Sequence, residues 1–491
     1  MHDLKAVRIA TLIAPPIGMI LLWRSREIPL KRKLLGTLGI ILFSLLYSAG
    51  ILAILIYFFG LELEWRGGFP PVPTWNKTLP NFAAVEVDRA RKKSSAKTSS
   101  VSAKTTSSYW TDFRGPKRDG HYDEKPILTN WPANGLRELW RQPVGGGYAS
   151  FVIAEGRAFT IEQRRDGEVI AAYDIENGAE IWTNNYPAHF DESMGGDGPR
   201  ATPTYHQGKI FSLGAMGDLR CLEASSGKLI WKRDITADAH APILTYGMAS
   251  SPLIVDDKVI VQAGGKNYSV AAYDKESGQP LWHSLDDEAA YSSPILVELA
   301  GEQQLLIVTK HRAVGLNPKN GKLLWSFPWV VKLQNRNIAQ PVLLGTNRFF
   351  RSAGYGTGCA TVEIAKVGDE LTARVVWQNK NLKNKFSSSV FFDGFLYGLD
   401  EDILVCLDAK TGERKWKDGR YGYGQVLLAS GHLVILSGDG QLALVKATPE
   451  KHVERARFQA IRGKTWNHPA ISDGKIFVRN AVEMACFEIS R

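Results

Sequence analysis

The chain has 491 residues, 44% of them hydrophobic and 22% charged, which excludes a collagen-like, mucin-like or mostly disordered polypeptide. Four cysteines are too few for a disulfide scaffold. Of the net charge of +10, nine units sit in the first 108 residues, which hold 15 Lys and Arg against 6 Asp and Glu; residues 109–491 hold 45 against 44, so the larger part lacks the basic excess of a nucleic-acid-binding domain.

At the N-terminus, Leu34 to Leu61 is a run of 28 residues without a charge, long enough to span a bilayer. Tyr57, Phe58, Phe59 and Trp65 stand near one end of it, where interfacial aromatics belong. An earlier stretch, Ile9 to Trp23, carries Pro15-Pro16 and reads either as a second span, counted from Leu4 with Lys5 and Arg8 snorkelling, or as an interfacial or re-entrant helix. The loop between the two holds Arg24, Arg26, Lys31, Arg32 and Lys33 against one acid, Glu27. The positive-inside rule makes that loop cytoplasmic and everything after Glu62 extracytoplasmic. A cleaved signal peptide is the competing reading, but the apolar run exceeds a signal core, and with no cysteine before Cys221 a lipoprotein anchor is not expected. Residues 94–108 read SSAKTSSVSAKTTSS, a composition that buries too little surface to fold. The expected organisation is a membrane anchor over 1–62, a flexible linker over 63–108, and a folded domain over 109–491.

That domain repeats. An apolar residue followed by Asp-x3-Gly-x3-Trp, with Glu or Asn in two copies, recurs at Asp174-Gly178-Trp182, Glu223-Gly227-Trp231, Asp274-Gly278-Trp282, Asn317-Gly321-Trp325 and Asp408-Gly412-Trp416. Two degenerate copies lead to Trp377 and Phe458, and Trp140 stands one period before the first. A spacing of 39 to 52 residues is that of a β-propeller blade. Each unit opens on a small or polar cluster: Ala149-Ser150, Ala201-Thr202-Pro203, Ser250-Ser251-Pro252, Ser292-Ser293-Pro294, Ala339-Gln340-Pro341, Ser387-Ser388-Ser389, Gly424-Gln425 and Asn467-His468-Pro469.

The repeat has a physical reason at each position. Asp accepts backbone N–H groups in a hairpin turn and Gly takes the left-handed turn position. Trp is large enough to bridge onto the neighbouring blade. Runs such as KIFSL and KVIVQA read as strands. The last unit supplies only three strands, so residues 137–142 are expected to return and complete it, removing the free edges of the ring. The fold class is therefore all-β: an eight-bladed β-propeller of four-stranded antiparallel blades, preceded by an α-helical membrane hairpin.

These residues resemble the tryptophan-docking motif of the quinoprotein (PQQ-like) propellers over essentially all of 137–491. Two relatives bear on function: the eight-bladed quinoprotein alcohol dehydrogenases, and the cofactor-free BamB-like lipoproteins of the outer-membrane β-barrel assembly machinery. The segment Trp110-Thr-Asp-Phe113-Arg114-Gly115-Pro116 and GDGPRATP at 196–203 look closer to a third group, the membrane-tethered PQQ-like repeat proteins of environmental bacteria. The resemblance carries over the docking tryptophans (Trp140, Trp182, Trp231, Trp282, Trp325, Trp377 and Trp416) and the turn residues, in a structural role.

The dehydrogenase resemblance implies PQQ over a tryptophan floor beneath two adjacent bonded cysteines, with calcium and a catalytic Asp beside it. Here the nearest cysteines, Cys359 and Cys406, are 47 apart, and no CxxCH haem site is present. No cofactor and no metal are expected; PQQ with calcium belongs to the alternative. Cys221, Cys406 and Cys486 each precede a turn acid by two residues and read as small buried residues between blades. His189, Asp191, Glu192 and Asp197, and the run Asp400-Glu401-Asp402, offer oxygen ligands for a cation but lack EF-hand spacing and read as acidic surface loops. GYGTG at 354–358 precedes no helical pattern, which weakens a phosphate-cradle reading.

Residues just before each innermost strand face the central funnel. They are Tyr148, Arg200, Tyr246, Tyr291, Lys385, Gln425, Trp466 and His468: aromatic, cationic and amide side chains suited to an anionic or polar ligand, or to a partner's extended segment. The alternative is that they only pack the funnel's upper layer. No catalytic residue is assigned. The leading function is a membrane-anchored extracytoplasmic scaffold or recognition module, BamB-like, held at the bacterial inner membrane and facing a protein or glycan partner. The alternatives are a PQQ-dependent oxidoreductase and a polysaccharide or small-ligand sensor.

Overall fold

The computed structural model describes residues 2–68, 70–75, 81–96, 109–331 and 336–490. Two compact units are present, Met1–Thr78 and Leu79–Arg491.

In the first unit, helices α1 (His2–Ile13), α2 (Pro15–Arg24) and α3 (Leu30–Phe59) follow one another. Pro15 and Pro16 start a new helix after Ala14, because proline fits the first helical turn but not the interior. The stretch weighed as a second span is thus two helices of 12 and 10 residues, each about half the ~30 Å thickness of a bilayer core at 1.5 Å per residue. They fold back around a small cluster of Val7, Leu22, Ile28 and Ile40. Among the described residues α3 alone is long and apolar enough to cross a membrane, with 30 residues and a mean hydropathy of 2.5 in its most apolar window. Its C-terminus is capped by Gly60 at φ 63°.

Residues expected to be linker are partly ordered. Leu61–Glu64 pairs antiparallel with Val72–Trp75, and Phe82–Ala96 forms helix α4, which belongs to the second unit. One turn of α4 explains its order. Arg89 lies over the Tyr173 ring at 4.8 Å, meets Glu180 at 3.0 Å and donates to Gln142 Oε1 at 3.1 Å, so helix and propeller are tied by buried charge that composition does not reveal. Residues 97–108, the core of the Ser/Thr-rich tract, lie outside the described residues.

The described residues of the second unit form eight blades of four antiparallel strands, one of which, blade 7, carries a fifth, short parallel strand at its inner edge. Blade 1 runs from Val152 to Pro187, blade 2 from Thr204 to Asp234, blade 3 from Leu253 to Ser284, blade 4 from Ile295 to Pro328, blade 5 from Val342 to Asn379, blade 6 from Val390 to Arg420 and blade 7 from Gln425 to Gln459. Blade 8 contains Ala470–Ser472, Lys475–Arg479 and Glu483–Glu488, and its outer strand is Glu138–Pro143 from the start of the domain, paired antiparallel with Glu483–Glu488. The ring is therefore closed by strands from opposite ends of the domain. The cysteines are all buried and free.

The docking pattern is regular. Nε1 of Trp140, Trp182, Trp231, Trp377 and Trp416 donates to the carbonyl oxygens of Ile175, Ala224, Lys275, Ala409 and Thr448 in the next blade at 2.9–3.0 Å. Trp282 lies on Gly321 of the next blade without that bond, its Nε1 buried and unpartnered, and Trp325 bonds Gln304 of its own blade. The reason at Trp325 is blade 5, whose third and fourth strands, Gly358–Val367 and Glu370–Asn379, extend to ten residues each and present no Asp-x3-Gly turn. At the eighth position Phe458 replaces Trp and packs on Trp131 at 5.8 Å and Phe487 at 5.4 Å.

A hydrogen-bonded collar joins the blade openings. Ser150 N donates to Thr202 Oγ1, Thr202 N to Ser251 Oγ, Ser251 N to Ser293 Oγ, Ser293 N to Gln340 Oε1 and Gln340 N to Ser388 Oγ, all at 2.9–3.1 Å. Gln425 Nε2 then reaches Phe386 O and Trp466 O, and Asn467 Nδ2 reaches Ala149 O at 2.9 Å. The small polar clusters of the sequence are thus the links of one belt around the axis, satisfying backbone groups that short inner strands leave unpaired.

Candidate functional site: an aromatic and cationic mouth over a plugged channel

In an antiparallel meander the strands alternate direction. The chain therefore enters each inner strand at the same end of the ring at which the second and third strands connect. Side chains of both loop sets meet at that end.

They form a continuous girdle. Tyr148 stacks on Trp466 at 5.3 Å, Trp466 meets Phe386 at 4.6 Å, and Phe386 meets Tyr423 at 5.6 Å. Lys385 Nζ sits 4.9 Å from the Tyr423 ring and 5.0 Å from that of Tyr355. Arg336 lies 5.7 Å from Tyr355 and 4.7 Å from Tyr246, and Tyr246 meets Tyr291 at 5.8 Å. The circle closes at Gly195, where an added Cβ would stand 3.2 Å from Tyr246 and whose carbonyl accepts from the Tyr148 hydroxyl. Lys464 caps the Trp466 ring at 4.3 Å, and Arg200 lies between Tyr148 and Phe190 at 5.5 and 4.8 Å. These side chains are half-buried, except Trp466 and Phe190, which are buried. Burial lowers the pKa values of Arg200 and Lys385, with Glu401 opposing the shift at Lys385. It pushes the Tyr355 hydroxyl up to about 12.

Of the eight residues expected at the funnel, Tyr148, Arg200, Tyr246, Tyr291, Lys385 and Trp466 lie in this girdle. Gln425 is a link of the collar, and His468 is buried deeper, its ring edge-to-face with Phe113 at 4.9 Å. Sequence reasoning missed Arg336, Tyr355, Phe386, Tyr423 and Lys464. Tyr355 comes from GYGTG, which is the connection between the second and third strands of blade 5. Phe386, Tyr423 and Lys464 stand one or two residues from positions already singled out, and Arg336 three before Ala339, on loops with no fixed length.

The opposite end of the ring is filled by residues 109–124. Trp110 O accepts from Ile153 N in blade 1, Thr111 O from Tyr205 N in blade 2, and Gly120 O from Leu428 N in blade 7, all at 2.8–2.9 Å. His121–Tyr122 adds a short parallel strand to the inner edge of blade 7. Arg118 is fully buried and donates to Asp112, Thr204 Oγ1, Ser251 O, Pro252 O and Pro294 O, spanning blades 2 to 4. Arg114, equally buried, reaches Ser389 O in blade 6. This plug uses the open edges of the inner strands, so the funnel opens at the girdle end.

The acidic clusters weighed as cation sites are engaged otherwise. Asp400 is held between Lys383 and Lys417, Glu401 faces Lys385 at 3.7 Å, and Glu192 accepts from Met194 N at 3.1 Å. Among the described residues no group of three or more His, Cys, Asp or Glu is placed to hold a metal ion. Calcium takes oxygen ligands, whereas the side chains that line this mouth are aromatic and cationic, a donor set that does not fit a PQQ–calcium pair.

A ring of eight four-stranded blades with docking tryptophans is a propeller of the quinoprotein type. The family profile described as outer membrane protein assembly factor BamB matches residues 165–418, and the chain belongs to that family. BamB of Shewanella oneidensis is 21% identical over 392 residues, covering 73% of this chain and 90% of that protein. 1-Butanol dehydrogenase (cytochrome c) of Thauera butanivorans is 27% identical over 107 residues; the match covers 21% of this chain and spans only 15% of the dehydrogenase. Among solved structures, the computationally designed Ika8 protein superposes with a TM-score of 0.53 at 11% identity, covering 72% of this chain and all of the designed one; the likeness is one of fold.

Proposed function

We propose that this protein is a membrane-tethered recognition module whose propeller captures an extended, acidic segment of a protein partner at the girdled mouth. The observation that supports it is the girdle itself: aromatic faces offer stacking area at low entropic cost, and four cations set among them (Arg200, Arg336, Lys385 and Lys464) offer charge-assisted hydrogen bonds to carboxylates. The plug leaves one open end, as a docking funnel requires. In this proposal α3 anchors the chain in the inner membrane, the basic residues Arg24 to Lys33 stay in the cytoplasm, and the propeller works outside it without a cofactor. Kinship with BamB favours an envelope-assembly role over an enzymatic one.

The test is photocrosslinking in native membranes. A photoreactive residue at Tyr246 or Lys385 is expected to give a discrete adduct with a partner. The same group at Lys232, on the outer strand of blade 2, is expected to give none. Lys464→Glu should weaken the adduct. Equal adducts from both positions would defeat the proposal.

A further inference from the structure

The two plug arginines are used differently. Arg118 has every nitrogen engaged by Asp112, Thr204 or backbone carbonyls. Arg114 has one bond, from Nη2 to Ser389 O at 3.1 Å, and its Nε and Nη1 are buried with no partner. No carboxylate is bonded to its guanidinium; Asp119 acts on it only at longer range. The guanidinium lies between plug and ring, because Ser389 stands next to the collar link Ser388 and a Cβ on Gly120 of the plug would meet both Arg114 Nη2 and Val390 of the blade 6 inner strand. His468, next to the collar link Asn467 of blade 8, comes to the same region. Its Nδ1 is buried without a partner, Phe113 presses on its ring, and Arg114 is close enough to help lower its pKa. Further unpartnered collar atoms are Ser250 Oγ and Gln340 Nε2.

Buried donors are rarely left unmatched, and an unmatched guanidinium is the most costly kind. Hydroxyl, amide and imidazole can be solvated by channel water. A buried cation without a carboxylate calls for an anion.

We propose that Arg114 and His468 form the floor of an internal oxyanion site, in which the axial channel takes up a small carboxylate or phosphate through the girdled mouth. The guanidinium supplies Nε and Nη1 as a two-pronged donor. Neutral His468 donates through Nδ1 in the tautomer the ligand selects. This site shares no residue with the girdle and stands whether or not the partner proposal does.

The test uses the full chain in detergent, at constant ionic strength, with inorganic phosphate and acetate as probes against chloride. Phosphorus NMR is expected to show saturable broadening of the phosphate line at one site per chain. Displacement by acetate identifies a general oxyanion site; resistance to acetate identifies a phosphate site. His468→Gln, judged folded by circular dichroism, should weaken binding about tenfold, the equivalent of one charge-assisted hydrogen bond. Arg114→Lys should weaken it further if the variant folds. Lys232→Ala, on the exposed outer strand of blade 2, should leave the affinity unchanged. No saturable response to either probe overturns the proposal. So does a response that Lys464→Ala abolishes while His468→Gln retains it.

Discussion

The indole of Trp182 lies on Gly227 of the next blade while its Nε1 donates to Ala224 O at 2.9 Å. One side chain thus reads both the shape and the polarity of a neighbouring turn. A Cβ at Gly227 would stand 2.4 Å from Trp182 Cε3, and the glycine sits at φ 72°. Gly208, at φ 77°, has nothing within 4 Å of its would-be Cβ.

Gly208→Ala therefore meets only the backbone penalty of about 1 kcal/mol, whereas Gly227→Ala adds displacement of the indole, about 1–3 kcal/mol more. Urea unfolding of the two variants side by side checks this. Equal losses would show that the indole shifts freely.

Acid should weaken the propeller in two separable windows. Burial, aided by Arg114, holds His468 well below its ordinary 6.5. The folded chain keeps the ring neutral while the unfolded chain takes up a proton below that value. The unfolded state then binds more protons, and stability falls as pH drops, by up to about 1.4 kcal/mol per unit. His121 and His206 are lowered too, so the quantity to measure is the shallower slope of His468→Gln just below pH 6.5, relative to wild type. Glu162 acts lower down. Burial opposes its ionisation, but Arg164, Arg89 and Arg479 outweigh burial and hold the carboxyl well below the usual 4.5. Its contribution is present above 4.5 and is lost as pH falls beneath it.

Arg118→Met should cost about 3–5 kcal/mol, because it strands Asp112 and frees carbonyls in two blades and the Thr204 hydroxyl in a third. Thermal melts give the loss. Limited proteolysis should show new cleavage within 109–124, and unchanged resistance there would refute the clamp.

Arg89→Met should detach α4 while leaving the ring closed. Hydrogen exchange is expected to speed up over residues 82–90 and to stay slow in the blade 1 strands. Loss of protection in both would mean that α4 is part of the core.

A quinone bound near Trp466 would quench tryptophan fluorescence. Titration of the full chain with PQQ, with and without calcium, is expected to give no saturable change. Calcium-dependent saturation at micromolar PQQ would reinstate the oxidoreductase alternative.

The blades were legible because their signals are local. Asp174, Gly178 and Trp182 lie within one hairpin, and the offsets repeat. Closure by Glu138–Pro143 followed from a blade one strand short. The irregular tryptophan was not legible: Trp325 carries the full motif, but its donor depends on a turn in blade 5 that the motif does not contain. The mouth was half legible. Loops before inner strands were countable, but Tyr355 and Arg336 join them through connections of variable length. The plug left no periodic trace, since Arg118 meets Pro294 across 176 residues and each of its contacts is unique.

The plug and the closing strand also order events in time. Residues 110–143 emerge from the ribosome long before the blade 7 and blade 8 strands that receive them. Until Leu428 and Glu483–Glu488 arrive, the ring has an open seam and an empty axis. Blades can form as they appear, but the last step waits for blade 8 and engages both ends of the domain at once. For a protein read as working outside the cytoplasm, the ring would then close only after blade 8 has been exported, so that no finished ring has to be threaded through a membrane.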